Sequence, residues 1–69
     1  MMRDAENSLR LAQELVAHLG DREMGAGELI RSFRADNPQV GAQQAEMGLA
    51  VLLNLRLASP GRNMLLRAA

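Results

Sequence analysis

The C-terminal third of the chain changes its hydrophobic period, and this change restricts the possible folds more than any other feature. Residues 48–57 (GLAVLLNLRL) begin with helical spacing and shift toward alternation after residue 53. Apolar residues recur about every 3.6 residues in an amphipathic helix and every second residue in a strand. The pattern therefore predicts a helix followed by a strand. Pro60-Gly61 then predicts a turn, and Met64-Leu65-Leu66 predicts a second strand.

The first half of the chain predicts one long helix followed by a loop. Helical spacing places Leu9, Ala12, Val16 and Leu19 on one apolar face of this helix. Leu11 and Leu15 widen that face. Asp4 or Ser8 would cap the start of this helix, and Gly20 would stop it. Residues 21–27 contain two glycines within three positions, which predicts a loop.

Two further helices are predicted between residues 28 and 53. The first runs from about Glu28 to Ala35 and has an apolar face of Leu29, Ile30 and Phe33. Asp36-Asn37-Pro38 ends it, because the residue before a proline avoids helical geometry. The next helix would be capped by Asp36 or Asn37, carry Pro38 in its first turn and end at Leu52 or Leu53. Its small residues at 41, 45 and 48 share one face, which is typical of close helix packing.

Together these elements predict one mainly α-helical domain spanning residues 1–69. Its core would be three helices arranged like a helix-turn-helix, and a C-terminal β-hairpin would make it a winged helix. The alternative is a simple bundle of three or four helices. In the bundle, Ser59 would cap a last short helix with Pro60 at its first position.

Several segments resemble the arsenical-resistance repressor family of winged-helix regulators. Residues 20–29 resemble the loop that enters that family's second helix, and residues 49–52 the end of its recognition helix. Residues 61–67 are similar to its wing, and residues 9–12 lie where its first core helix would be. The resemblance implies a winged-helix fold and DNA-binding regulation. Leu65 and Leu66 replace the wing's aromatic residues, and without a Cys or His cluster the family's metal sensing does not carry over.

Composition narrows the classes of function. With no Cys and a single His, neither a disulfide framework nor a thiolate or His-rich metal site is available. No apolar run approaches the roughly 20 residues of a membrane span, and the polar start lacks the apolar core of a signal peptide, so a cytoplasmic protein is expected. His18 falls near the end of the first helix, where it complements the helix dipole. We expect no cofactor and no enzymatic activity.

The sequence favours a small regulatory protein that binds a protein partner, such as an inhibitor, adaptor or chaperone. A domain of this size buries only roughly 60% of its unfolded surface, and Leu and Met are in excess after residue 47. Met-rich apolar surfaces adapt well to partner helices. The predicted partner-binding residues are Met47, Val51, Leu55, Leu57 and Met64. A homodimer is also expected from this apolar segment.

The alternative is a DNA-binding transcriptional regulator. Net charge is zero, but residues 31–69 carry five Arg against two acids, whereas residues 1–30 carry three Arg against six acids. Gln39, Gln43 and Gln44 would then contact base edges, and Arg31, Arg34 and Arg62 would contact phosphates. Against this interpretation, the predicted recognition helix, residues 39–53, contains no Arg or Lys.

Overall fold

The computed structural model describes residues 2–61 and 64–69, and the side chains from Glu6 onward within those ranges. The elements run in the order α1 (Met2–Leu19), β1 (Glu23–Met24), α2 (Ala26–Asp36), α3 (Ala42–Asn54), β2 (Ala58–Pro60) and β3 (Leu66–Ala68). The three strands form an antiparallel sheet in the order β1-β3-β2. The domain is flattened, with extents of 35 × 24 × 16 Å. A mainly helical fold with three helices and a C-terminal hairpin is confirmed, and this arrangement is compatible with a winged helix.

Helix α1 begins earlier than predicted. It starts at Met2, so Asp4 and Ser8 lie inside it and neither caps it. The buried positions repeat at four- and three-residue spacing, and they are Ser8, Ala12, Leu15 and Leu19. Leu9, which was predicted to belong to the buried stripe, is 40% exposed. The stop at Gly20 is confirmed: its φ is +60°, and its N–H donates to the carbonyl of Val16 at 3.0 Å.

The predicted loop at residues 21–27 contains regular structure. Glu23 and Met24 form β1, which pairs with Arg67 and Leu66 of β3. Helix α2 begins at Ala26, two residues before the predicted start, so Gly27 lies in its first turn. The sequence of a two-residue strand carries no periodic signal, and this strand exists only because β3 supplies its hydrogen-bonding partner.

The connection between α2 and α3 is longer than predicted. Asn37 ends α2, and its side-chain amide donates to the carbonyl of Phe33 at 2.9 Å. Pro38 and Gln39 form a turn, closed by Val40 N–H to the Asn37 carbonyl at 3.0 Å. The prediction that α3 starts at Pro38 is therefore wrong. Its N-cap is Gly41, whose N–H donates to the side-chain oxygen of Gln44 at 3.0 Å, as in a capping box.

The C-terminal end of α3 is closed by a Schellman motif. Arg56 N–H donates to the Leu53 carbonyl at 3.2 Å, and Leu57 N–H donates to the Leu52 carbonyl at 3.0 Å. Arg56 takes the left-handed position of this motif, with φ of 57°. Because the helix continues to Asn54, the alternation predicted from residue 53 does not form a strand there, and β2 begins only at Ala58.

The hairpin excludes the predicted alternative of a last helix capped by Ser59. Ser59 and Pro60 belong to β2, where Pro60 pairs with Leu66. The turn is also wider than a Pro-Gly tip, since Gly61 N–H donates to the Leu65 carbonyl at 2.7 Å across the loop. Met64, predicted to begin the second strand, lies in this loop.

One hydrophobic cluster connects all the helices and the sheet. Its largest fully buried side chains are Leu15, Leu19, Leu29 and Leu52. Phe33 is 3% exposed, which confirms its predicted place in the core. Met24, Ala58 and Leu66 extend the cluster under the sheet.

Candidate functional site

Helix α3 has one side packed against the rest of the domain. Ala45, Gly48 and Leu52 are buried on that side. A Cβ atom added to Gly48 would lie 2.8 Å from the Cβ of Leu11 and 3.5 Å from the backbone nitrogen of Ala12. The backbones of α1 and α3 therefore approach closely, as the small residues predicted. Gly41, predicted to share this face, is instead the exposed N-cap.

Another side of α3 carries the apolar stripe, which we define as Met47, Val51 and Leu55. The three residues follow one another at four-residue spacing, with Leu55 as the C-cap just beyond Asn54, so they lie along one side of the helix. Met47 is 49% exposed, Leu55 is 54% exposed, and Val51 is partly buried. No charged residue occurs from Met47 to Leu55. The stripe is therefore an apolar surface that the other described residues bury only in part.

A groove lies beside the stripe, between α1 and the first turns of α3. It has a volume of about 250 Å³ and is lined by Asn7, Ser8, Leu11, Gln43, Gln44 and Met47. Its lining combines polar amides and a hydroxyl with the apolar side chains of Leu11 and Met47. The groove thus offers hydrogen-bonding groups next to apolar contact area, which is the composition expected at protein interfaces.

The two remaining residues predicted to bind a partner lie apart from the stripe. Leu57 is partly buried and packs against the core, where it completes the Schellman motif with Leu52. Met64 is 76% exposed, but it lies in the hairpin loop. The five predicted residues therefore divide into three at four-residue spacing, one near the start of the hairpin and one in its loop. Val51 and Leu57 both pack against the core.

The predicted nucleic-acid contacts are spread over several elements. Arg31 and Arg34 are exposed on α2, and the Nε of Arg34 donates to the Val40 carbonyl at 3.1 Å. Gln39 lies in the turn before α3, because Gly41 and not Asn37 caps that helix. Gln43 is exposed at the start of α3, whereas the side-chain oxygen of Gln44 accepts the hydrogen bond from Gly41. Arg62 lies outside the described residues.

His18, Ser32 and Asp36 form a polar cluster between α1 and α2. The Nε2 of His18 and the Oγ of Ser32 are 2.8 Å apart and share a hydrogen bond. The Nδ1 of His18 lies 3.7 Å from a carboxylate oxygen of Asp36, which is longer than a hydrogen bond. The imidazole ring also meets Phe33 edge-on at 5.7 Å between ring centroids.

This cluster connects two helices. Ser32 lies in the middle of α2, where its own N–H is used by the helix ladder, and Asp36 is largely exposed. Ser32 is partly buried, and its hydroxyl bonds to His18 across the contact between the two helices. His18 does lie in the last turn of α1, where a positive charge would complement the helix dipole.

Sequence reasoning missed a second cleft at the end of α3. It is lined by Leu53, Arg56, Ala58, Ser59 and Pro60, and Leu53 is itself 39% exposed. The apolar run at residues 49–57 could have indicated this cleft, because it contains more leucines than one helix face can bury. This cleft lies between the end of α3 and the first strand of the hairpin.

Within residues 2–61 and 64–69, no helix is both long and apolar enough to cross a membrane. The same residues contain no group of three or more His, Cys, Asp or Glu side chains that could hold a metal ion. Comparison with models of known protein families, with curated proteins and with solved structures found no match.

Proposed function

We propose that this chain is a small regulatory protein that acts in the cytoplasm by binding another protein through the apolar stripe of α3, without catalysing a reaction. The observation that carries the proposal is the exposure of Met47 and Leu55 on a helix face free of charge. Leaving such groups in water forgoes roughly 25 cal/mol for each Å² of apolar surface that a partner would cover.

The position of the stripe supports recognition of a protein surface. A helix face with apolar residues at four-residue spacing is a common element of helix-to-helix and helix-in-groove binding. Methionine suits this use because its unbranched side chain adapts to irregular contacts. The neighbouring groove adds Asn7 and Gln43, whose amides can supply hydrogen bonds at the edge of the contact.

The electrostatics of α3 argue against DNA as the main ligand. In a winged-helix architecture the exposed face of α3 would enter the major groove. Here that helix carries no Arg or Lys, and its one charged residue, Glu46, is exposed. Phosphate neutralisation supplies most non-specific DNA affinity, so a neutral protein with an acidic recognition helix is poorly suited to that ligand.

A DNA-binding regulator remains the second candidate because of the fold. The arrangement of three helices and a hairpin is compatible with a winged helix, and Arg31 and Arg34 are both exposed on α2. Arg is well suited to phosphate because its guanidinium donates two parallel hydrogen bonds. These observations favour a phosphate-binding surface on α2. Helix α3 would then make few sequence-specific contacts with DNA bases.

Fluorescence anisotropy with a labelled mixed-sequence duplex distinguishes the two functions. We expect no saturable binding by the wild type at physiological salt. Weak binding at low salt should fall steeply as salt rises, and Arg31→Ala with Arg34→Ala should flatten that dependence by roughly one unit of slope per lost phosphate contact. Saturable binding at physiological salt that the double Arg variant abolishes would replace our proposal with the second candidate.

Capture of partners from native cell extract tests the stripe itself. Immobilised wild type should retain proteins that Met47→Glu loses, because the substitution places a charge on the apolar stripe. Ala50→Glu is the matched control, since Ala50 is exposed on the same helix but points about 60° or more away from the stripe residues. Circular dichroism should show both variants folded. Equal retention by all three chains would count against the stripe as the binding surface.

A further inference from the structure

The cluster of His18, Ser32 and Asp36 has the arrangement that activates a serine hydroxyl. The Oγ of Ser32 lies 2.8 Å from the Nε2 of His18, and the Nδ1 of the same ring lies 3.7 Å from a carboxylate oxygen of Asp36. Nucleophilic serines on unrelated folds share this pattern of a hydroxyl, a base and a group that orients the base. We propose that Ser32 is a covalent modification site that takes the acyl group of a small, neutral, activated ester.

The carboxylate of Asp36 decides which ring nitrogen of His18 carries the proton. Nδ1 is the nitrogen that faces Asp36, and a negative charge 3.7 Å away favours an N–H there over a lone pair. Nε2 is then the acceptor, so the hydroxyl of Ser32 donates the hydrogen bond to the ring. This is the tautomer in which His18 can take the proton of Ser32.

An open cavity gives a small molecule access to Ser32. It has a volume of about 350 Å³ and is lined by Glu28, Arg31 and Ser32. Arg31 and Ser32 follow Glu28 by three and four residues, which places all three on one side of α2. Because the charges of Glu28 and Arg31 oppose each other, the lining favours a neutral ester over a charged one.

The acyl transfer uses groups that are already in place. The Oγ of Ser32 attacks the acyl carbon of the ester while its proton passes to the Nε2 of His18. The guanidinium of Arg31 supplies positive charge for the oxyanion that forms. The bond between the acyl carbon and the leaving oxygen then breaks, and His18 gives the proton to that oxygen. The products are an acyl ester of Ser32 and the free alcohol.

The acyl group is expected to stay on Ser32. The first attack is assisted by the good leaving group of the activated ester, whereas the acyl-serine is an ordinary ester without one. Hydrolysis would then depend on donors that stabilise a second oxyanion, and backbone N–H groups often serve in this way. Ser32 lies within α2, where backbone N–H groups donate along the helix. The reaction is therefore a modification of the chain and is compatible with a protein that does not catalyse a reaction.

The composition of the chain makes this modification easy to locate. The chain contains no Lys, Cys, Thr or Tyr, and its only side-chain hydroxyls are those of Ser8, Ser32 and Ser59. Ser8 is 7% exposed, whereas Ser59 is exposed in β2. His18 is the single His and is bonded to Ser32. Ser59 is therefore an internal control, a hydroxyl that water reaches in the same molecule.

Reaction with p-nitrophenyl acetate at pH 8 tests the proposal. The full chain is treated with an excess of this neutral ester, and the acetylated residues are located and timed by digestion and mass spectrometry. Acetylation of Ser32 should be roughly 100-fold or more faster than that of Ser59, because general base catalysis contributes at least this factor. About one equivalent of p-nitrophenolate should be released in step with it.

Two variants assign the activation to His18. His18→Gln keeps a hydrogen-bonding side chain beside Ser32 but removes the base, so acetylation of Ser32 should slow roughly 100-fold, to the rate of Ser59. Asp36→Asn changes an exposed side chain and should slow the reaction about fivefold, through loss of the charge that orients the ring. Circular dichroism should show both variants folded. If His18→Gln does not fold, Asp36→Asn still tests the mechanism.

Three outcomes would overturn the inference. Equal rates of acetylation at Ser32 and Ser59 would show that the hydroxyl of Ser32 is not activated. An unchanged rate at Ser32 in folded His18→Gln or Asp36→Asn would show that the cluster does not supply the base. Continued release of p-nitrophenolate that Ser32→Ala abolishes would show that the acyl group is hydrolysed. The site lies between α1 and α2, whereas the apolar stripe lies on α3, so capture of partners through the stripe is tested independently.

Discussion

The packed side of α3 and its apolar stripe are both nonpolar, yet they are built from different side chains. The packed side uses Ala45 and Gly48 where α1 approaches closely, with Leu52 filling the core behind them. The stripe uses the longer side chains of Met47 and Leu55, which are about half exposed to solvent. The small residues lie where α1 and α3 are already in contact, whereas the long exposed residues form surface that is available to another molecule.

This difference separates residues that determine folding from residues that determine binding. A close-packed contact has no room for an added atom and leaves a void when one is removed. An exposed side chain loses little when shortened, because water already surrounds much of it. Substitutions on the packed side should therefore change the free energy of unfolding, and substitutions on the stripe should change association.

The largest effect is expected at Phe33. Phe33→Ala should reduce the free energy of unfolding by about 3–5 kcal/mol, because it removes a buried aromatic ring. A domain of this size has a total stability of roughly 3–10 kcal/mol, so the variant should lose a third or more of its stability. Urea unfolding followed by circular dichroism measures this. Met47→Ala, on the stripe, should change unfolding by less than about 0.5 kcal/mol.

An unchanged midpoint in Phe33→Ala would place the ring outside the core and make it a candidate binding residue. A large loss in Met47→Ala would show that the stripe contributes to folding, and the distinction between the two sides of α3 would fail. The second result has most weight if it is seen at concentrations where the chain is monomeric.

Glycine substitutions should have opposite signs on and off the packed side. Gly48→Ala should destabilise the domain by about 1–3 kcal/mol, because its Cβ would lie 2.8 Å from the Cβ of Leu11. Gly27→Ala should instead stabilise it by about 0.5 kcal/mol, since no atom lies within 4 Å and alanine favours the helix. Thermal unfolding measures both. Equal and small shifts would show that α1 moves away from α3 without cost.

The sequence predicts the interior better than the connections. Leu29 and Phe33 on one face of α2, and Ala45 and Gly48 on one face of α3, follow from helical spacing, because periodicity reports which face is buried. The left-handed stop at Gly20 follows from local chemistry. These features were predictable because each depends on residues within a few positions of one another.

The errors occur where distant residues pair or where neighbouring caps compete. Strand β1 forms because β3 lies beside it, although Met24 and its partner Leu66 are far apart along the chain. The start of α3 was misplaced because Gly41 caps the helix through Gln44, whereas Asn37 uses its side chain to close α2. Competing caps can be ranked only when the path of the chain between them is known.

The candidate site shows the same division. All five predicted partner-binding residues were chosen from the excess of Leu and Met near the C-terminal end of the chain, and three of them, Met47, Val51 and Leu55, follow one another at four-residue spacing along α3 and its C-cap. The Schellman motif turns Leu57 toward the core, and the hairpin moves Met64 to another element. Proximity in sequence does not specify a shared surface once the helix has ended.

A smaller effect is expected at the polar contact between α1 and α2. Ser32→Ala removes the hydrogen bond to the Nε2 of His18 and should cost about 1 kcal/mol. Ser59→Ala is the matched control, because Ser59 is exposed in β2 and should give a change within about 0.5 kcal/mol. If urea unfolding shows equal effects, His18 and Ser32 do not bond in solution. The packing of His18 against Phe33 would then be the main contact between these parts of α1 and α2.

A small stabilising effect is expected at Arg56. This residue occupies the left-handed position of the Schellman motif with φ of 57°, where a Cβ is unfavourable and glycine is preferred. Arg56→Gly should therefore raise the free energy of unfolding by about 0.5–1 kcal/mol, after the greater flexibility of glycine in the unfolded chain is deducted. Arg56→Ala separates backbone strain from loss of the guanidinium, since alanine keeps the Cβ and should give no gain. Thermal unfolding should show a rise of a few degrees for glycine alone, because about 1 kcal/mol corresponds to roughly 4–8 °C in a domain of this size. A gain in stability in both variants would assign the effect to the loss of the charge. A loss of stability in Arg56→Gly would show that the Arg56 side chain makes contacts that hold the end of α3 in place beside Leu53 and the hairpin.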